Sequence, residues 1–131
     1  AGDPSDHGTR LGPLVSKAQY DRVTGYLDLA RQEGRILFGG GRPAGLGTGY
    51  FVEPTAIVDV SPDARVCQEE IFGPVATILP FDDADDALAI ANNSDFGLAG
   101  YVWTRSQDTA HYMSHRMQTG TIAICASRSA A

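Results

Sequence analysis

The chain has 131 residues, 43% of them hydrophobic, and 16 acidic against 10 basic side chains for a net charge of −6. That length suits one domain over residues 1–131, while an acidic balance with no basic run excludes nucleic acid and anionic membrane surfaces, which draw on clustered Lys and Arg. No apolar run approaches the roughly 18 residues of a membrane span and no signal peptide is visible; Cys67 and Cys125 make neither a disulfide framework nor a metal motif, so a reduced, cytoplasmic setting is expected.

Residues 1–15, rich in Gly, Pro and Asp, read as an extended lead-in. Ser16 with Gln19 makes a capping-box start, and Val23, Tyr26, Leu27 and Ala30 recur at helical spacing, which predicts a helix over Lys17–Glu33 stopped by Gly34. Arg35 to Phe38 reads as a short strand, followed by a loop with six glycines between Gly39 and Gly49. Tyr50 to Val60 has strand composition, interrupted at Pro54 by an edge or a bend. Val75 to Phe81 is a further strand candidate. Asp82 and Asp83 then suit the start of a helix to about Ala91, where carboxylates favour the N-cap and the helix dipole. Leu98 to Thr104 reads as strand, Ser106 to about Met117 as a helix capped by Ser106, and Thr121 to Cys125 as a last strand; residues 126–131 read as a frayed tail. Alternating strands and helices in the later half predict an α/β layer with some parallel pairing.

Gln68-Glu69-Glu70-Ile71-Phe72-Gly73-Pro74-Val75 is the stretch richest in chemistry. In an extended backbone Glu70 and Phe72 project on one side, about 7 Å apart along the chain. A carboxylate accepts two hydrogen bonds from the vicinal hydroxyls of a ribose, and a phenyl ring packs on a flat heterocycle. Read without context, the same residues are a core Phe beside a solvated or ion-paired carboxylate. The other candidates are weaker. The glycine loop matches no phosphate-binding pattern and precedes a strand, so it reads as a flexible surface connection. His111 and His115 share a helix face, but Tyr112 stands where a zincin glutamate would be and no third ligand suggests itself. Cys67 has no histidine paired with it in a recognisable motif and reads as an incidental thiol.

The octapeptide closely resembles a motif of the aldehyde dehydrogenase superfamily. Ala1-Gly2-Asp3-Pro4, Leu11-Gly12-Pro13-Leu14-Val15, Gly49-Tyr50-Phe51-Val52-Glu53-Pro54-Thr55, Ala91-Asn92-Asn93 and Phe96-Gly97-Leu98 resemble further landmarks of that family, in its order and at similar spacing. The resemblance implies the fold of the late part of its catalytic domain, with Glu70 holding the ribose of NAD or NADP and Phe72 contacting the nicotinamide side. It also implies that the family's nucleophile, base and dinucleotide-binding regions lie ahead of these residues and an oligomerisation strand beyond them. The chain is therefore expected to be a truncated domain that neither oxidises aldehydes nor binds a cofactor alone, and that associates with itself or a complementing polypeptide. Cys125 and Ala123 depart from the family, which commonly has an asparagine and an aromatic there. Two other readings stay open: a small enzyme using Glu70 for cofactor-free acid–base or pericyclic chemistry on a small molecule, which requires an enclosed apolar pocket around it, and an interaction module pairing through an exposed sheet edge.

Overall fold

The computed structural model describes residues 1–125, so the expectation for the 126–131 tail lies outside the described residues. The architecture is α/β, as the alternating pattern predicts. Where the sequence reads as one domain, the contacts gather into two compact units, one of residues Ala1–Leu79 and one from Pro80 onward.

In the first unit, helix α1 (Lys17–Glu33) begins where the Ser16 hydroxyl accepts a hydrogen bond from the Gln19 amide at 3.2 Å. Val23, Leu27 and Ala30, one apolar stripe of the helix, are buried. Gly34 closes the helix in an extended rather than a left-handed conformation, its N–H donating to the Ala30 carbonyl. The lead-in is not extended: the Gly2 N–H donates to the Leu11 carbonyl at 2.9 Å, closing a loop whose turns are held by the Asp3 and Asp6 carboxylates.

Strands β1 (Arg35–Phe38), β2 (Thr55–Val58) and β3 (Val75–Thr77) form a sheet in that order, β1 antiparallel and β3 parallel to β2. The Tyr50–Val60 expectation is corrected here. Pro54 precedes the first ladder residue, Asp59 turns the chain at φ 54°, and the four-residue strand left between them is central, not an edge. Thr55, Ala56 and Ile57 are buried, and Ile57 packs with Ala30, Val60 and Val66; a second cluster joins Val23, Leu27, Val52 and Ile71. The buried Thr55 hydroxyl is satisfied, accepting from the Gly40 N–H and donating to the Glu53 carbonyl. That bond, with Arg31 Nη2 on the Gly40 carbonyl at 2.6 Å, anchors the base of the glycine loop instead of leaving it free. A one-turn helix α2 (Arg65–Gln68) lies before the octapeptide's glutamates; its side-chain cap is the Glu33 carboxylate, which accepts from the Val66 N–H.

In the second unit, α3 (Ala84–Asn92) is capped by the Asp83 carboxylate, which accepts from the Asp85 and Asp86 amides at 2.9 Å. Strands β4 (Ala99–Trp103) and β5 (Thr121–Cys125) pair in parallel, joined through α4 (Gln107–Ser114), which Ser106 caps. A parallel pair needs such a crossover. Val102, Ala110 and Met113 are buried, whereas Tyr101 and Trp103 on the other face of β4 are each 68% exposed. The Asn92 side chain brackets the approach to β5, donating to the Arg116 carbonyl at 3.0 Å and accepting from the Gln118 N–H at 2.9 Å.

Candidate cofactor-facing site

Residues 69–73 cross one face of α1. Tyr26 donates its hydroxyl hydrogen to the Glu69 carboxylate at 2.5 Å, and Arg65 grips the same carboxylate through Nε at 2.7 Å and Nη2 at 3.1 Å. The Arg65 bonds, then the Tyr26 bond, hold the Glu69 carboxyl far below the usual range, lowered to about 2; the same bond, with burial, raises the Tyr26 phenol. Glu69 is thus committed to structure.

Glu70 stands differently. Its carbonyl accepts from Arg22 Nη2 at 2.5 Å, while its carboxylate is exposed and has no hydrogen-bond or ion-pair partner among the described residues. Ile71 turns inward and is buried, and Phe72 turns out again, 74% exposed. Glu70 and Phe72 are both exposed, but the backbone is not extended throughout, as their expected placement on one side assumes: Phe72 has φ 57°. For a residue with a bulky side chain that conformation costs about 1–2 kcal/mol, and Gln19 Nε2 meets it by donating to the Phe72 carbonyl at 2.7 Å and to the Ile71 carbonyl at 3.2 Å. The Gln19 side chain therefore does not complete the capping box that its spacing from Ser16 suggests. Phe72 is exposed rather than a core residue, whereas the exposed, unpaired Glu70 carboxylate matches the solvated alternative.

These features fit the ribose–nicotinamide half of a dinucleotide: a carboxylate with open acceptor sites, and an aromatic face turned to solvent on a pinned backbone. Glu70 lines none of the described cavities. The largest of these, about 440 Å³, lies along α1 between Asp21, Arg22, Tyr26, Leu29, Gln32 and Arg65. It is an open cleft whose best donors, Arg65 and the Tyr26 hydroxyl, are already used by Glu69.

The remaining sequence candidates lie each within its own unit. Burial pushes the half-buried Cys67 thiol up, only partly offset by a hydrogen bond with Thr77, which is the wrong direction for a nucleophile. His111 and His115 are exposed with stacked rings 6.2 Å apart, and among the described residues no three His, Cys, Asp or Glu side chains gather as a metal site. Cys125 and Ala123 both lie on β5. Gln19, read from the sequence as a cap partner, and Arg22, which sequence reasoning did not single out, are the residues it missed. Their only signal was position, three apart on the helix whose far contacts no local pattern reveals.

The sequence model of the aldehyde dehydrogenase family matches residues 1–130. Over 124 residues the chain is 46% identical to a hydroxyisobutyraldehyde dehydrogenase of Mycolicibacterium austroafricanum, covering 94% of this chain and 25% of that one. A crystal structure of an aldehyde dehydrogenase from Mycobacterium tuberculosis complexed with NAD+ is similar at 46% identity and a TM-score of 0.90, over 94% of this chain and 26% of its own. PnpE from Pseudomonas sp. WBC-3 gives 43% identity and a TM-score of 0.91, over 97% and 27%. The chain belongs to the aldehyde dehydrogenase family. It spans about a quarter of the length of these relatives.

Proposed function

We propose that this chain supplies the wall of an NAD(P)-dependent aldehyde dehydrogenase site that faces the ribose and nicotinamide of the cofactor. The observation that carries the proposal is the pairing of an unpartnered, exposed Glu70 carboxylate with an exposed Phe72 ring, on either side of the buried Ile71. When bound, the dinucleotide supplies the hydride acceptor for aldehyde oxidation. Glu70 accepts hydrogen bonds from the two ribose hydroxyls, and Phe72 limits the position of the ring plane. The NAD+ in the Mycobacterium tuberculosis relative supports a cofactor of this class.

By themselves the 131 residues do not carry out that oxidation. Two hydrogen bonds and one contact face fall short of the more than about 4 kcal/mol that submillimolar binding requires once the entropy of association is met. The competent assembly is completed by further polypeptide or by other copies, in the cytoplasm, without nucleic acid or a membrane; no helix among the described residues is long and apolar enough to cross one. The cofactor-free acid–base reading lacks the enclosed pocket it requires, because Glu70 is exposed. The test is a steady-state assay of the purified chain with several aldehydes and NAD or NADP. No turnover is expected. Turnover that survives repurification and disappears in Glu70→Gln would overturn the incompetence, and turnover of a small molecule without nicotinamide would favour the acid–base reading.

A further inference from the structure

We infer that the aromatic face of the β4–β5 pair is a self-complementary surface, on which a second copy of this chain docks about a two-fold axis running along the strands. Parallel strands are rarely left bare, since sheets of this kind have both faces covered. On one side of the pair Val102 is buried, as are Ala110 and Met113 of α4. On the other side Tyr101 and Trp103 stand exposed, with the still more exposed Leu98 just before the strand. The face uses neither Glu70 nor Phe72, so its failure as a contact would leave the cofactor reading standing.

The register gives this face its shape. Tyr101 pairs with Ala123 and Trp103 with Cys125, and residues paired across a ladder project on the same side. Strand β4 therefore raises a ridge of two aromatic rings, while β5 beside it, with Ala123 and Cys125 half-buried, leaves a trough. A two-fold axis between the strands and parallel to them puts the ridge of each copy over the trough of the other. Every contact then occurs twice, and the dimer is closed. The Trp103 ring of one copy covers the Cys125 thiol of the other, a favourable meeting of sulfur with an aromatic ring. Charge points the same way. No charged side chain occurs in residues 96–104 or 119–125, so in a chain of net charge −6 two copies meet here without bringing acidic groups together. Area sets the strength. An aromatic side chain buries about 150–250 Å² in all, and rings that are 68% exposed have roughly 100–170 Å² each left to cover. Four rings supply on the order of 500 Å², and with Leu98 and the trough the total stays under the roughly 1,200 Å² at which stable interfaces begin. The dimer is accordingly weak, half-formed on the order of 100 µM.

The test is sedimentation of the whole chain in reducing buffer from micromolar to millimolar concentration, where a monomer–dimer equilibrium is expected. Ala123→Phe is the decisive variant, because it adds apolar surface while filling the trough. General stickiness would tighten association, whereas docking of ridge into trough should weaken it about tenfold or more. Trp103→Lys should weaken it similarly. Ile124→Lys, which changes an exposed apolar residue on the opposite face, should leave it unchanged. Circular dichroism checks that each variant folds. In Cys67→Ser, Cys125 is the only thiol left, and its alkylation should slow several-fold as the concentration passes through the association range. Equal or tighter association of Ala123→Phe, equal weakening in Ile124→Lys, open-ended oligomers in place of a dimer, or a monomer at millimolar concentration would each overturn the docking. Should Ala123→Phe fail to fold, the thiol decides: alkylation independent of concentration would overturn it as well.

Discussion

Adding one methyl group at Gly73 should test how tightly the octapeptide is seated on α1. The Cβ of Gly73→Ala would lie 2.6 Å from Val23 Cγ2 and 3.1 Å from Cγ1. Val23 is fully buried and, as a β-branched residue in a helix, is confined to one strongly preferred rotamer. It cannot swing aside, so the turn must lift. Overpacking of this kind costs about 1–3 kcal/mol, and restricting the unfolded chain returns about 0.4–1 kcal/mol, which leaves a net loss of about 1–2 kcal/mol. Val23→Ala removes both offending methyls, and the Val23 Cβ at 3.5 Å is then an ordinary contact. Alone it should cost about 2 kcal/mol in lost burial and cavity, and the double variant should cost little more than Val23→Ala itself. A coupling of about 1–2 kcal/mol between the two sites follows. The only tryptophan, Trp103, belongs to the other unit, so its fluorescence would report the wrong transition. Urea denaturation followed by the methyl signals of Leu27 and Ile57 reads the correct one. Additive costs, or a Gly73→Ala variant as stable as wild type, would refute the close seating.

Three further outcomes are expected. Because its folded pKa is lowered, Glu69 contributes stability that is present above about pH 4.5 and lost as the pH falls toward 2; the stability difference between wild type and Glu69→Gln should shrink across that window, and a difference constant with pH would count against the ion pair. Replacing Asn92 with Leu should cost about 0.5–1.5 kcal/mol, the net worth of a hydrogen bond whose exposed partners water can satisfy, seen as faster hydrogen exchange at Gln118; unaltered exchange would show that the bracket is idle. Self-association is expected through the exposed face of β4, where Tyr101 and Trp103 stand side by side with Leu98 just before them. Sedimentation should show oligomers that weaken in Trp103→Lys, and a compact monomer at high concentration would remove this expectation.

Much of the architecture was legible wherever a local rule decides the outcome. The Lys17–Glu33 helix has its hydroxyl cap, its apolar spacing and its stop within the segment, and the structure matches those limits residue for residue. The Asp83 and Ser106 caps and the β5 strand are of the same kind, since cap and periodicity act within a few residues. Helix α2 was invisible because its capping carboxylate, Glu33, comes from 33 residues upstream. The strand at Tyr50–Val60 was read as too long because composition cannot sense which residues find a ladder partner; only Thr55 to Val58 do.

The candidate site divides in the same way. That a carboxylate and an aromatic ring flank Ile71 is read directly from the chain, and the octapeptide with its five companion landmarks carries the resemblance to the family. What no local pattern contains is why Glu69 and Glu70, adjacent and chemically identical, differ in role. Glu69 meets Tyr26 and Arg65 and is used up, whereas Glu70 meets Arg22 only through its backbone and keeps its carboxylate open. That distinction comes from the packing of α1 across residues 69–73. Hydrogen bonds spanning 43 to 53 residues of chain exist only after the core has brought the helix and the turn together.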